Sequence, residues 1–327
     1  MKLRWALATV AFAVGGVIPL TAVSCGTVAS PLSAAGQPLP PLTAAPARAG
    51  STAPSSNCGD ATLSSRPPVT MPIPGKMPAG SYLAAIAKRG YLRVAVNVDV
   101  PPFGSVDPDS GQFAGFDVRI AEAVGRAIFG ASGHVKYRAV TNAERIPAIR
   151  DGDVDIVVAT MTVNCERRTQ VDFSAVYYEA GQRVLVLNSS PAKSLGDLGG
   201  QKVCAPAGTT SIQRIAQAPS RPVPYPVTND SDCLVAMQNG QVAAISTDDE
   251  VLAGMQQQDP QTRVLPQSLA PEPLAVAISL QHPDLTRFVN GVLARIKADG
   301  EWTAIYQQTV GNALGPTPAP PPNRYRN

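Results

Sequence analysis

Three stretches of the chain collect residue types that hold small charged molecules. Each lies beside a turn at the carboxyl end of a predicted strand, where open α/β sheets place ligands. The first is Pro101-Pro102-Phe103 with Gly111-Gln112-Phe113-Ala114-Gly115-Phe116-Asp117-Val118. The second runs from Ala159 through Thr160, Thr162, Arg167 and Arg168 to Asp172, with Tyr177-Tyr178 beyond. The third is Ala207-Gly208-Thr209-Thr210-Ser211, with Thr247-Asp248-Asp249 downstream. An arginine offers a planar fork of donors that fits a carboxylate. A turn that opens a helix offers unpaired amides at the positive end of the helix dipole. This is chemistry for holding an anionic group, and no pair suited to acid–base catalysis stands beside it. The two histidines, His134 and His282, lie near no cysteine in sequence, and no two cysteines form a C-x-x-C. Neither a zinc site nor a thiol-redox centre has support, and no metal or other cofactor is expected.

The elements that must position these groups alternate short apolar runs with amphipathic stretches from about residue 80 to 313, the pattern of an α/β fold. Strands are expected over 91–96, 135–140, 154–159 and 184–187, then over 202–205, 242–246 and 274–279. Helices are expected over 116–128, where Phe116, Ile120, Val124 and Ile128 share a face, and over 143–150 behind a Thr141 or Asn142 cap. Others are expected over 210–217, 233–239, 249–257 and 283–298, so the second half repeats the architecture of the first.

Composition separates the ends from this middle: of 32 prolines, 12 precede residue 80 and 5 follow residue 315. From Thr27 to about Pro78 the chain offers too little apolar surface to offset its ordering entropy, which predicts a mobile tether, and 315–322 reads as a similar tail. Lys2 and Arg4, the apolar run from Trp5 to Val23 and then Ser24-Cys25 describe a secretory signal. A run of about 19 residues is also near the minimum for a transmembrane anchor, against which Pro19 and the small residues near its end argue. The 27 Lys+Arg nearly balance 24 Asp+Glu, with no basic run to neutralise a row of phosphates, which argues against nucleic acid as a partner.

Ala22-Val23-Ser24-Cys25 resembles the lipobox of bacterial lipoproteins, with Ala22 where that signal usually has Leu. The resemblance implies a signal peptide over 1–24, lipidation of Cys25 and a tether over 25–79. Four cysteines then remain, Cys58, Cys165, Cys204 and Cys233, with three possible pairings outside the reducing cytosol.

Taken in order, and with Lys297-Ala298-Asp299-Gly300-Glu301-Trp302 near the end, the three stretches resemble the extracytoplasmic solute-binding proteins of amino-acid uptake systems, the polar amino-acid family, over roughly residues 80 to 313. Arg119 stands where that family usually has Asp or Glu, and Thr210 where some relatives have Gly. The resemblance implies a two-lobed periplasmic-binding-protein-like α/β fold with a two-segment hinge. Lobe 1 would comprise 80–182 and 277–313 and lobe 2 would comprise 183–276, followed by a disordered tail over 314–327. The hinge is expected near 181–184 and 273–276.

By the same resemblance Arg167 grips a ligand α-carboxylate, with Thr162 and Thr160 beside it, the Gly208-Thr209-Thr210 turn on the other side and Arg168 turned to solvent. Asp248 is implied as acceptor for the ligand ammonium, with Asp249 the second choice and capping of the next helix the alternative role. Phe103 either packs over the ligand or fills the core. Residues 141–148 and Gln182-Arg183 are similar to those in binders of glutamate, aspartate or their amides, with Gln182 and Arg183 either meeting the ligand side chain or belonging to the hinge. Glutamate-binding relatives with cysteines in similar places imply a Cys204–Cys233 disulfide as well, and Cys58–Cys165 then follows as the remaining pair, which would pin the end of the tether to the first lobe. The function implied is that of a monomer, lipid-anchored to the outer face of the cytoplasmic membrane, which presents a polar amino acid to a membrane permease or sensor. The alternatives are a periplasmic dehydratase-type enzyme on the same fold and a cell-envelope protein with a dead pocket.

Overall fold

The apolar run Leu92-Arg93-Val94-Ala95-Val96 is buried almost throughout, as befits a strand covered on both faces, and the first sheet is built around it. The computed structural model describes residues 58–326. The expected signal, Cys25 and the tether as far as residue 57 lie outside the described residues. In chain order the first lobe holds α1 (Tyr82–Arg89), β1 (Leu92–Val96), β2 (Asp99–Val100), β3 (Gly104–Val106), β4 (Phe113–Ala114) and α2 (Phe116–Phe129). It continues with β5 (Val135–Ala139), α3 (Arg145–Arg150), β6 (Ile156–Val157), α4 (Cys165–Arg168) and β7 (Asp172–Phe173). The second lobe holds β8 (Tyr178–Leu187), β9 (Lys202–Pro206), α5 (Thr210–Gln217), β10 (Val223–Val227) and α6 (Asp230–Gln238). After it come β11 (Ala244–Asp248), α7 (Asp249–Gln258), β12 (Thr262–Val264) and β13 (Ala270–Leu274). The chain then returns to the first lobe as β14 (Ala277–Ile278), α8 (Pro283–Ala298), α9 (Glu301–Thr309) and α10 (Gly311–Leu314).

The first sheet has the order β5-β1-β6-β14-β7 and the second β10-β9-β11-β8-β12, with β13 also pairing β8; β2, β3 and β4 form a small third sheet. Helix α8 buries Leu285, Phe288, Val289, Val292 and Ile296, the stripe its spacing predicts. Each such side chain contributes about 1.5–3 kcal/mol on burial. The disulfides Cys58–Cys165 and Cys204–Cys233 are both present, and among the described residues no helix is long and apolar enough to cross a membrane.

Two segments cross between the lobes, 174–177 and 275–276. They are bonded to each other, with Ser174 N donating to Val276 O and Tyr177 N to Leu274 O. The first crossing precedes the expected 181–184, because residues 178–182 already pair with β13 and residues 182–186 with β11 inside the second sheet. The single strand expected over 274–279 divides for the same reason, β13 ending in one sheet and β14 beginning in the other.

The ends differ from the tether and tail read from composition. Ser64 Oγ donates to Phe173 O and forms a bridge with Tyr325 through the backbone, while Met71 packs against Gly291 of α8. A few side chains with specific partners thus fix segments 58–79 and 314–326, whose average composition gives no sign of it.

Candidate functional site

The carboxyl ends of the strands converge on a cavity lined from the first lobe by Asn142, Arg145, Thr160, Thr162 and Arg167. The second lobe supplies Thr209, Thr210, Ser211, Asp230, Thr247, Asp248 and Val251. Among the described residues Val251 is the only apolar side chain in this wall and no aromatic enters it, so the cavity suits a polar solute.

Arg167 is carried by the one-turn helix α4, whose Asn164 cap accepts from the Arg167 amide at 2.8 Å. Arg167 is only 7% exposed, and its guanidinium donates through Nη1 to Thr162 O at 2.7 Å and through Nη2 to Gly208 O of the other lobe at 3.2 Å. Gly208 meets Arg167 through its carbonyl but is not among the residues that line the cavity. Its φ of +77° and the closeness of Ala143, whose Cα would lie 2.9 Å from an added Cβ, leave room for glycine alone. Thr209, not Thr210, caps α5, its Oγ1 accepting from Ile212 N at 3.2 Å. The amides of Thr210 and Ser211 open the helix beside the cavity with no intrahelical acceptor. The Thr210 hydroxyl is directed away, donating to Glu272 at 2.9 Å.

Asp248 stands at the N-cap position of α7 but makes no side-chain capping bond, and its buried carboxyl faces the cavity. Burial, reinforced by the charges of Glu272 and Asp249, holds that carboxyl well above the usual range. Asp249 is instead paired with Arg183 at 3.2 Å. Thr160 sits at a φ of 40°, rare for a residue with a side chain, held by its amide to Asp117 at 2.8 Å and by its carbonyl to Arg145 at 3.0 Å.

Phe103 does not reach the cavity: it is fully buried against Phe116 and Tyr178, with ring centroids at 5.1 and 4.9 Å, so of its two expected roles the core prevails. Gln182 and Arg183 also stay out. Gln182 is buried between Ser246 and Arg214, while Arg183 bonds Asp249 and Pro266 O. Arg168 is turned inward, donating to Ala61 O and Leu63 O, not to solvent.

Sequence reasoning assigned no individual ligand role to Arg145, Asp230, Asn142 or Asp117, although Asn142 was one of two candidate caps for the helix over 143–150. Arg145 is buried and bonds the carbonyls of Asn142, Ala159 and Thr160, and burial beside Arg167 pushes it down to about 9, still protonated at neutral pH. Asp230 accepts from Asn142 across the lobes at 2.6 Å; burial and the Asp99 charge push it up to about 7. Asp117, also raised to about 7 by burial, accepts from Tyr177 OH at 2.7 Å. The block 141–148 had pointed at Asn142 and Arg145 only by likeness, and Asp230 lay in no motif because its role comes from the approach of the other lobe.

Two α/β lobes joined by a double crossing and meeting over a polar cavity define a two-lobed binding protein. The chain belongs to the bacterial extracellular solute-binding proteins, family 3, whose family model matches residues 92–312. The ABC transporter glutamine-binding protein GlnH of Bacillus subtilis (strain 168) is 35% identical over 229 residues, 70% of this chain and 84% of that protein. The glutamate-binding protein GluB of Corynebacterium efficiens is 27% identical over 255 residues, 74% and 86% of the two chains. Among solved structures, the L-cysteine solute receptor of Neisseria gonorrhoeae superposes with a TM-score of 0.69 at 29% identity, covering 71% of this chain and 95% of that one. An ancestral arginine-binding protein bound to glutamine gives 0.64 at 32% identity, covering 68% and 99%. The family is one of binding proteins, and the dehydratase alternative finds no support in it.

Proposed function

We propose that this protein captures an L-amino acid with an acidic or amide side chain outside the cytoplasm and presents it to the membrane permease of an ABC-type uptake system. The observation that carries this reading is that Arg167 and Asp248, one from each lobe, line a single cavity. A guanidinium and a carboxylate in that relation suit the two charges of an amino acid, with Thr160 and Thr162 beside the first and the α5 amides facing it. Arg145, Asn142 and Asp230 supply donors and acceptors for a polar side chain, and the absence of aromatics from the cavity wall among the described residues disfavours a large apolar one. The relatives named for glutamine and glutamate support the same class of ligand. A lipid on Cys25 would hold the chain as a monomer at the outer face of the membrane, within reach of its permease.

A thermal-shift screen of the twenty amino acids tests the ligand class. A ligand at 100 times its dissociation constant stabilises the folded state by about 2.7 kcal/mol. Shifts confined to lysine, arginine or sugars would reject it. Mass spectrometry of the membrane-extracted protein tests the lipid.

A further inference from the structure

Arg167 and Arg168 are adjacent but lead in opposite directions. Arg167 enters the cleft, while Arg168 enters a belt made from both ends of the described chain. Its Nη2 donates to Leu63 O at 2.8 Å, its Nε to Ala61 O, and its Nη1 to Asp172 at 3.1 Å, with the guanidinium over the Phe173 ring at 5.5 Å. Asp172 also receives Arg326, whose amide donates to Ser64 O at 2.7 Å, while Ser64 N donates to Arg324 O at 3.0 Å. Arg324 pairs with Asp60 at 2.6 Å, and Asn290 of α8 secures Ser64 and Ser65 from below. The belt is joined covalently to the first residue of α4 by the Cys58–Cys165 bridge, two positions before Arg167.

A helix of four residues has too few internal bonds to hold its own orientation. We infer that residues 58–66 and 323–326 form a positioning belt for the ligand-gripping arginine, in which Cys58 and Arg168 fix α4 so that Arg167 points into the cleft. The inference rests on the amino-acid-binding reading for its affinity measurement only, since the orientation of α4 can be followed without a ligand.

The test compares the full chain with a Cys58→Ser/Cys165→Ser variant, with Arg168→Ala and with Arg168→Lys. Titration calorimetry with L-glutamine and L-glutamate is run at least 20 °C below each variant's own melting temperature, alongside amide exchange of residues 163–171 without ligand. The expected result is an affinity loss of about tenfold or more in the first two variants, faster exchange in 163–171, and partial rescue in Arg168→Lys, which keeps the charge facing Asp172 but not the fork. A belt that only stabilises the fold would lower the melting temperature and leave affinity and local exchange unchanged, and that outcome overturns the inference. Should a variant fail to fold, Arg326→Ala, on the outer side of the belt, carries the same comparison with a smaller expected effect. If no amino acid binds even the unaltered chain, the proposed function fails, while exchange in 163–171 still decides whether the belt holds α4.

Discussion

Substituting Arg167 by alanine removes two things at once. The guanidinium spans the lobes, bonding Thr162 O on its own side and Gly208 O on the other, and on the proposed function its remaining donors would meet a ligand carboxylate in the cavity it lines. Loss of a buried charge-assisted partner costs about 2–5 kcal/mol when the opposing charge is left unpaired. That corresponds to a dissociation constant raised roughly 30-fold to several thousand-fold. Arg167→Lys separates the contributions: the charge persists, but one ammonium cannot reproduce the fork, so an intermediate loss is expected. The fold should survive both changes, because the cap on α4 is made by the Arg167 backbone amide and not by its side chain. Calorimetric titration with L-glutamine, with circular dichroism as the control for folding, measures the effect. Affinity within threefold of the original in a folded Arg167→Ala would refute the assignment of this arginine to the ligand.

Asp248→Asn should weaken binding by about 10- to 150-fold, the worth of a hydrogen bond to a charged group, while the ligand-free chain melts higher at pH 8 because burial disfavours the charged form of the carboxyl that has been removed. Asp117 and Asp230 stand at about 7 against an ordinary 3.8, so between those values the folded chain retains protons that the unfolded chain has released. Their stabilisation is complete below about pH 3.8 and lost as pH rises towards 7, with a slope of at most about 1.4 kcal/mol per pH unit for each group. Urea unfolding across that range should show a shallower slope in Asp230→Asn, and an equal slope would count against the burial of Asp230. Gly254→Ala places a Cβ 1.8 Å from Pro101 O of the opposite lobe, wedging the closed form, while alanine adds up to about 1 kcal/mol of helix propensity to α7. Lower affinity with a larger radius of gyration by X-ray scattering is expected, and unchanged affinity would show that closure does not require this contact.

The sequence carried those parts of the site that depend on local pattern. Helix 283–298 and the opening of α5 at Thr210 were legible because apolar spacing and a Thr-Thr turn are local signals. Arg167 and Asp248 were legible through motif likeness. The first crossing was not, since Glu179 to Gln182 differ in no local way from a connection; only their pairing with β13 puts them inside a sheet. Asp230 and Asn142 acquire meaning from a bond across 88 positions, and Arg168 from carbonyls more than 100 positions away, which no window of sequence contains. The ordered ends were hidden for the same reason: their proline and serine content describes an average, whereas Cys58 and Ser64 act singly.

Closure brings together charges that make the empty and loaded cavities unequal in energy. Arg145 and Arg167 face Asp230 and Asp248 across the cleft, and Glu250 is buried close to Asp248 and Asp249, whose charges add to its burial. Burial acts first on all of them, raising the three acids and lowering the two arginines. Closing an empty cleft therefore costs desolvation that the cross-lobe bonds, Asn142 to Asp230 and Arg167 to Gly208 O, only partly offset. An amino acid adds no net charge through its backbone groups, yet on the proposed function its ammonium would lie beside Asp248 and its carboxylate beside Arg167, so these two groups would gain partners. The gain exists only when both lobes touch the ligand, and this differential affinity is what can shift the population towards the closed form. A sugar of similar size, bringing hydroxyls but no charges, would leave the acids of the second lobe unpaired, which is why the same cavity should discriminate against it.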